Sequence, residues 1–140
     1  MSRYADGRRH EELLVNRLSD AEIPNIRSAK SAKIDVIGFG ENGEVLLIEC
    51  KRSKSDVFYL HEKDYATLLF FYEGLKDLKH NPVMMLSLWI PRHKFTKEIR
   101  LEPDLLRVGK TLKFVYENGD VTFKMLVPKR DEQNVARGGF

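Results

Sequence analysis

This sequence has almost no cysteine, and it has neither a long apolar run nor a secretory signal. Its 140 residues include one cysteine, Cys50, which excludes an internal disulfide and a cysteine-rich zinc site. No apolar run approaches the roughly 18 residues that suggest a membrane span. The N-terminal stretch MSRYADGRRHEELL lacks the apolar core of a secretory signal. We therefore expect a protein of the cell interior with no membrane partner.

The composition is that of one folded domain. Hydrophobic residues make up 42% of the chain and charged residues 32%, which is typical of globular proteins. A chain of this length can bury one core over about two-thirds of its unfolded surface. The segment after Pro128, KRDEQNVARGGF, has too little apolar content to pack. We predict a single domain over residues 1–128 and a frayed tail over 129–140.

Positive charge is concentrated in clusters along the chain. The net charge is +3 and the isoelectric point is about 9.0, which favours an anionic partner. Two clusters flank the segment 33–53, and a third follows Pro91. They contain Arg27, Lys30 and Lys33; Lys51, Arg52 and Lys54; and Arg92, His93, Lys94, Lys97 and Arg100. Such clusters are more often solvated surface than binding sites. Acidic residues lie between the first two clusters, however, and they favour the alternative of a phosphate-binding site.

Hydrophobic periodicity predicts a mixed α/β domain. Apolar residues at helical spacing predict helices over 8–19 and 62–79, and the apolar run 83–90 predicts a buried strand that includes Trp89 in the core. Asn-Gly pairs predict two hairpins, which join 33–39 to 44–52 and 111–116 to 121–127. The order of elements favours a central sheet flanked by helices.

Three charged residues stand at strand ends in the first predicted hairpin. Glu49 and Lys51 share one face of their strand because side chains alternate. Asp35 lies at the far end of the partner strand, so its carboxylate can converge with that of Glu49. Two carboxylates this close repel unless a cation lies between them. Oxygen ligands with open positions are what Mg²⁺ accepts, which favours a divalent-metal phosphodiesterase with Lys51 beside the metal. The alternative is an ordinary Glu49/Lys51 pair with Asp35 capping a turn.

Four stretches resemble a known nuclease family in order and nearly in spacing. They are HEELLVNRL (10–18), IRSAKSAKIDVIG (26–38), VLLIECKRS (45–53) and DVFYLHEKDYATLLFFYEGL (56–75). The arrangement of Asp35 and Glu-Cys-Lys (49–51) is similar to the PD-(D/E)xK nucleases, with Ile34 in place of the proline. Within that superfamily the sequence most resembles the archaeal Holliday junction resolvases. After residue 80 the resemblance is one of pattern alone.

The resemblance implies a restriction-endonuclease-like fold and a set of functional residues. It implies Glu11, Asp35 and Glu49 as metal-site acids that bind Mg²⁺, with Mn²⁺ as a substitute. It implies Lys51 as the catalytic lysine and Ser31 as a residue near the scissile phosphate. Predicted DNA contacts are Arg8, Arg9, Arg27, Lys30, Lys33, Arg52 and Lys54. Glu12 replaces an arginine common in the family, so either a phosphate contact is lost or Arg8 and Arg9 substitute for it.

A dimer is expected on two grounds. In the family, aromatic residues of the long helix lie in the region of dimer contacts, and Phe71 and Leu75 occupy those positions here. Independently, a helix in which Phe70, Phe71 and Tyr72 are adjacent cannot bury every face in one small domain.

The resulting hypothesis is a homodimeric, Mg²⁺-dependent endonuclease that resolves four-way DNA junctions in an archaeal cell or its virus. One alternative is the same nuclease fold acting on another DNA target, of the repair or restriction type. The other is a non-catalytic DNA-binding protein of the same fold.

Overall fold

In the part of the chain that the structure describes, strands alternate with two long helices and one short helix. The structure is a computed structural model that describes residues 3–21, 25–27 and 34–126, with side chains for 9–21 and 34–126. In chain order the elements are α1 (Arg3–Asp20), β1 (Asn25–Arg27), β2 (Val36–Phe39), β3 (Glu44–Arg52), β4 (Val57–Leu60), α2 (Glu62–Asp77), β5 (Asn81–Ile90), β6 (Phe95–Leu101), α3 (Pro103–Arg107), β7 (Thr111–Glu117) and β8 (Asp120–Leu126). A short 3-10 turn, Pro91–His93, follows β5.

The strands form two sheets. The larger has the order β1-β2-β3-β5-β6, in which β3 and β5 are parallel and the other neighbours are antiparallel. The smaller is antiparallel, with the order β4-β7-β8. The structure therefore confirms the predicted α/β fold with a central mixed sheet.

Helices cover both faces of the large sheet. On one face, Leu14 of α1 packs with Val36 and Ile48. On the other face, Leu68 of α2 and Phe114 of the small sheet belong to the main core, which also contains apolar side chains of β3, β5 and β6. Burying one such side chain contributes roughly 1.5–3 kcal/mol, so both faces hold the layers together. The predicted flanking helices are confirmed.

The two Asn-Gly pairs close the two predicted hairpins in different ways. Asn118 and Gly119 have φ of 54° and 82° and connect the paired residues Glu117 and Asp120 directly, as a two-residue type I′ turn requires. The first hairpin has a four-residue connection, 40–43, in which Gly43 has φ of 80°. Both hairpins pair as predicted.

The two long helices lie where they were predicted, but one end of each differs from its predicted position. Helix α1 begins at Arg3, five residues before its predicted start. Helix α2 ends at Asp77 and not at residue 79, because Lys79 adopts a left-handed backbone with φ of 69°. Within the described ranges, no helix combines the length and apolar content of a membrane span.

Strands β4 and β6 and helix α3 lie in segments for which no element was predicted. Strand β6, FTKEIRL, buries Ile99 and Leu101 and also contains the charged residues Lys97, Glu98 and Arg100. Its charge led the segment to be interpreted as basic surface. Neighbouring strand β5 supplies a full antiparallel register for it, so pairing outweighs the charged composition.

Candidate active site

Strand β3 presents different chemistry on its two faces. Leu47 belongs to the core on the α2 side and Ile48 to the core on the α1 side. Side chains alternate along a strand, so Glu49 and Lys51 follow Leu47 toward α2, while Cys50 follows Ile48. The predicted pairing of Glu49 and Lys51 on one face is confirmed.

Asp35 lies beside the end of β3. It occupies a bend immediately before β2, and Val36 is in register with Ile48. One carboxylate oxygen, Oδ2, accepts a hydrogen bond from the Cys50 amide at 2.8 Å. That bond holds the carboxylate against β3, where its other contacts include a hydrogen bond with Glu49. The two acids predicted to converge across the hairpin therefore do so.

The Glu49 carboxyl is strongly perturbed. Its pKa is raised to about 9, chiefly by burial and also by the hydrogen bond with Asp35 and the negative charge of Asp35, while Lys51 opposes the rise. A carboxyl with this pKa shares a proton with its neighbour at neutral pH. A divalent cation between the two groups would replace that proton and relieve their repulsion. The pair therefore fits a hard metal ion with oxygen ligands.

Lys51 is held beside the two acids by a residue that sequence reasoning missed. Its Nζ lies 3.5 Å from Oδ1 of Asp64, and the two side chains are 30% and 18% exposed. Asp64 stands in the first turn of α2, where its Oδ2 accepts a hydrogen bond from the His61 amide at 2.8 Å. An acid three positions after a helix cap is a sequence signal for capping, but it does not reveal the ion pair with Lys51.

Glu11 is half-buried on α1, the helix that covers the face of the large sheet opposite to α2. Burial raises the pKa of the Cys50 thiol, and the charge of Glu11 is among those that raise it further. Glu11 is thus near the end of β3. Across residues 9–21 and 34–126, no three His, Cys, Asp or Glu side chains are grouped closely enough to hold a metal ion. The described metal-site candidate is the pair Asp35 and Glu49, and the role of Glu11 stays a prediction.

Trp89 was predicted in the core, but it is only half-buried on the α1 face. The Arg52 guanidinium lies 5.7 Å from its ring centroid, and the His10 ring lies 5.6 Å away on α1. His10 is itself buried and its Nε2 is 3.1 Å from the Ser87 hydroxyl. The amphipathic tryptophan therefore packs between a cation and an imidazole instead of lying among apolar side chains.

The remaining predicted site residues are partly described. Arg9 and Lys54 are exposed. The side chains of Arg8 and Arg27 lie outside the described residues, as do Lys30, Ser31 and Lys33 entirely. On α2, Phe71 is 43% exposed, whereas Leu75 is half-buried and packs against the main core of its own chain. Their roles in a dimer stay predictions.

Comparison with protein families gives a match over most of the chain. The family model described as "Archaeal holliday junction resolvase (hjc)" matches residues 2–117. A curated relative is the crossover junction endodeoxyribonuclease Hjc of Methanocaldococcus jannaschii. It is 38% identical over 71 residues, which is 51% of this chain and 53% of the relative. The chain therefore matches about half the length of that relative.

Comparison with solved structures gives the same family. The structure of Archaeoglobus fulgidus Hjc, described as a Holliday junction resolvase from an archaeal hyperthermophile, superposes with a TM-score of 0.53 at 25% sequence identity. The likeness covers 66% of this chain and 73% of that one. It confirms the restriction-endonuclease-like fold that the sequence predicts.

Proposed function

Because the chain belongs to the archaeal Holliday junction resolvase family, we propose that it is a structure-selective endonuclease that resolves four-way DNA junctions. The hydrogen-bonded pair Asp35 and Glu49, with Lys51 beside it, is the observation that carries this proposal. Holding two acids and an ammonium together at a strand end is costly unless the charges are used. A phosphodiester nuclease uses all three.

Each residue has a distinct part in the proposed hydrolysis. Asp35 and Glu49 would hold a divalent cation once Glu49 releases the proton that it shares with Asp35. The chemistry available there would be Lewis acidity toward the scissile phosphate and toward water. Water forms a new bond to phosphorus and loses a proton to the solvent, while the bond to the 3′ oxygen breaks and that oxygen takes up a proton from the solvent. Lys51 places a positive charge where negative charge develops on the phosphate oxygens, and Asp64 keeps the ammonium in place.

Mg²⁺ is the proposed cofactor because the described ligands are carboxylate oxygens, which suit hard cations. Mn²⁺ is expected to substitute because it accepts the same ligands. Glu11 and Ser31 complete the proposed site. Their support is the family resemblance, together with the position of Glu11 near Cys50.

The proposed assembly is a two-fold dimer. Symmetric cuts on opposing strands of a four-way junction need two equivalent sites, and an isologous dimer presents them. Exposed aromatic side chains on α2, Phe70 and Phe71, support an interface there. Selectivity would come from basic surfaces that contact the phosphate backbone, with little readout of bases.

The proposed nuclease domain comprises residues 1–128. The family match over 2–117 and the last strand, which ends at Leu126, support these bounds. The predicted tail, 129–140, lies outside the described residues. The family is described as archaeal, so the proposed setting is the interior of an archaeal cell or its virus.

Cleavage of a labelled four-way junction, with and without Mg²⁺, tests the proposal. Wild-type protein should cut with Mg²⁺ and bind without cutting when the metal is chelated. Lys51→Ala and Glu49→Ala should each abolish cleavage while junction binding persists. Lys113→Ala, which removes a half-buried lysine from β7, is the matched control and should cut normally.

Two outcomes would contradict this function. Preferential cutting of flap or linear duplex DNA would indicate a nuclease with another target. Binding without metal-dependent cleavage by the wild-type protein would indicate a non-catalytic DNA-binding protein.

A further inference from the structure

The two parallel strands of the central sheet bring a second group of residues to the catalytic edge. Strand β3 ends next to β5, with Lys51 in register with Leu88. One residue past the end of β3, the Ser53 amide donates a hydrogen bond to the Trp89 carbonyl at 2.9 Å. The segments that follow the two strands, 53–56 and 91–94, therefore lie side by side at the edge that carries Glu49 and Lys51.

Beyond Asp35, Glu49 and Asp64 of the candidate site, this edge is rich in basic residues, and Asp56 is the acid of its two turns. Its basic residues are Lys51, Arg52, Lys54, Arg92, His93 and Lys94. At the opposite edge, where the same strands begin, acids and lysines are mixed, as in Glu41, Glu44, Asp77 and Lys79. Within the turns after β3 and β5, the cations Lys54, Arg92 and Lys94 outnumber the single acid, Asp56, and this excess of positive charge suits a phosphate backbone.

Contacts hold the turn after β5 in a defined position. The Asp56 carboxylate accepts a hydrogen bond from the Arg92 guanidinium, and its Oδ1 lies 2.7 Å from Nε2 of His93. The His93 ring stacks on Tyr116 with centroids 4.1 Å apart. The Tyr116 amide in turn donates to the Asp56 carbonyl at 2.7 Å. A preorganised cation loses less freedom when it binds than a mobile one.

The rest of the basic sequence cluster is engaged elsewhere. Lys97 pairs with Asp120 at 2.7 Å, and Arg100 lies 3.5 Å from Glu102. Lys97 and Arg100 both lie on β6, which follows the turn after β5. The structure thus divides one basic stretch of sequence by position: Lys97 and Arg100 lie on β6, one strand farther from β3, whereas residues 92–94 lie in the turn at the catalytic edge, where the Arg92 side chain is 57% exposed.

We propose that Arg92 and Lys94, with Lys54, form a DNA-backbone binding site that holds the strand next to the scissile phosphate. Arg92 lies four residues beyond Leu88, so its Cα is at most roughly 13 Å from the level of Lys51 along the strand direction. Along the axis of a DNA duplex, that distance corresponds to the rise of about four base pairs. Arginine has five N–H donors, so Arg92 can bind a phosphate and keep Asp56. The inference rests on the proposed function, because it assumes that DNA occupies the site.

The test compares salt dependence in two matched double variants. Arg92→Gln/Lys94→Gln removes two charges from the proposed contact. The control, Arg107→Gln/Lys79→Gln, removes an exposed arginine that is likewise paired with acids and a lysine with the same left-handed backbone as Lys94. Dissociation constants are measured on a four-way junction and on linear duplex between about 50 and 200 mM salt.

The first variant should lower the slope of log affinity against log salt by about 2, since each lost phosphate contact contributes about 0.9. It should weaken junction and duplex binding by the same factor. The control should keep the wild-type slope. Equal slopes in the two double variants would overturn the inference. Thermal unfolding checks that each double variant is folded. If one of them is not, the single variants Lys54→Gln and Lys94→Gln are measured instead, and each should lower the slope by about 1.

The proposed function and this inference are contradicted by different results. A wild-type protein that cuts no four-way junction with Mg²⁺ would contradict the nuclease assignment. The slopes on linear duplex would still decide whether the turn after β5 contacts DNA.

Discussion

At the scale of single residues, Asp64 links helix formation to the chemistry of the candidate site. One carboxylate oxygen accepts the His61 amide and the other faces the Lys51 ammonium. Pattern reasoning identified Asp35, Glu49 and Lys51 because they lie on one hairpin, where spacing determines proximity. Asp64 approaches Lys51 through tertiary packing of α2, and no local pattern reports that contact.

Asp64→Asn should separate the two roles of this residue. The amide oxygen can still accept the His61 hydrogen bond, so helix capping and stability should be nearly unchanged. Loss of the negative charge leaves Lys51 less well positioned, so kcat for junction cleavage should fall about tenfold, equivalent to about 1.4 kcal/mol. The dissociation constant for the junction should stay the same. Single-turnover kinetics and equilibrium binding measure the two quantities.

Asp104→Asn is the control for that experiment. Asp104 also stands in the first turn of a helix, α3, and its side chain is 93% exposed. It should cleave at the wild-type rate. Equal kcat for Asp64→Asn and Asp104→Asn would contradict a positioning role for Asp64.

His10 should make stability depend on pH. Its pKa is lowered from 6.5 to about 4, chiefly by burial and also by the positive charge of Arg17, while the charge of Asp35 opposes the shift. The folded state therefore disfavours the protonated ring. The stability contributed by neutral His10 is fully present above pH 6.5 and is lost as pH falls toward 4. A difference of this size corresponds to about 3 kcal/mol.

Urea unfolding between these pH values measures the effect. His10→Gln should flatten the dependence on pH by about 3 kcal/mol, whereas His80→Gln, at an exposed position, should leave it as in the wild type. The same steepness in His10→Gln and wild type would show that other groups cause the loss of stability.

At the scale of secondary-structure elements, the sequence predicted those whose signal is local. Helices α1 and α2 and both Asn-Gly hairpins have such signals. Strand β6 and helix α3 do not, because FTKEIRL mixes apolar and charged residues and PDLLR is too short for periodicity. Their existence depends on partners: β6 on its register with β5, and α3 on the buried Leu106. Tertiary pairing of this kind is invisible in one short window of sequence.

Glycine substitutions should have opposite effects in two elements. Gly119 has φ of 82° and Gly74 lies within α2, and a Cβ at either would meet no atom within 4 Å. Gly119→Ala should therefore destabilise the protein by about 1 kcal/mol through backbone strain alone. Gly74→Ala should stabilise it by about 0.5–1 kcal/mol, because alanine loses less conformational entropy in a helix. Denaturant unfolding measures both free energies, and the same sign for the two variants would contradict this account.

At the scale of the whole molecule, the chemistry and the exposed apolar surface lie on different parts of the fold. The candidate site is at the carboxyl end of β3, beside the first turn of α2. Exposed apolar side chains occur farther along α2 and immediately after its last residue, where Phe70 and Leu78, respectively, are 74% and 70% exposed. A two-fold interface on that part of the helix would leave both catalytic edges open to DNA.

Phe71→Gln tests the proposed dimer with a matched control elsewhere on the surface. Phe71 is 43% exposed and Phe123, on β8, is 42% exposed, so the same substitution removes a similar apolar surface from each. Phe71→Gln should shift the protein toward monomer in sedimentation velocity, because an aromatic side chain at the interface loses its burial. Phe123→Gln should sediment like the wild type.

Paired cleavage gives the dimer a second and functional readout. In a dimer bound to one junction, the second cut occurs within the same complex, where the other site is already in place. Phe71→Gln should therefore release singly nicked junctions before the second cut, whereas wild type and Phe123→Gln should convert supercoiled cruciform DNA directly to linear product. Linear product and a dimeric sedimentation coefficient from Phe71→Gln would place the interface away from this part of α2. Nicked product from both phenylalanine variants would show that loss of apolar surface, and not its location, slows the second cut.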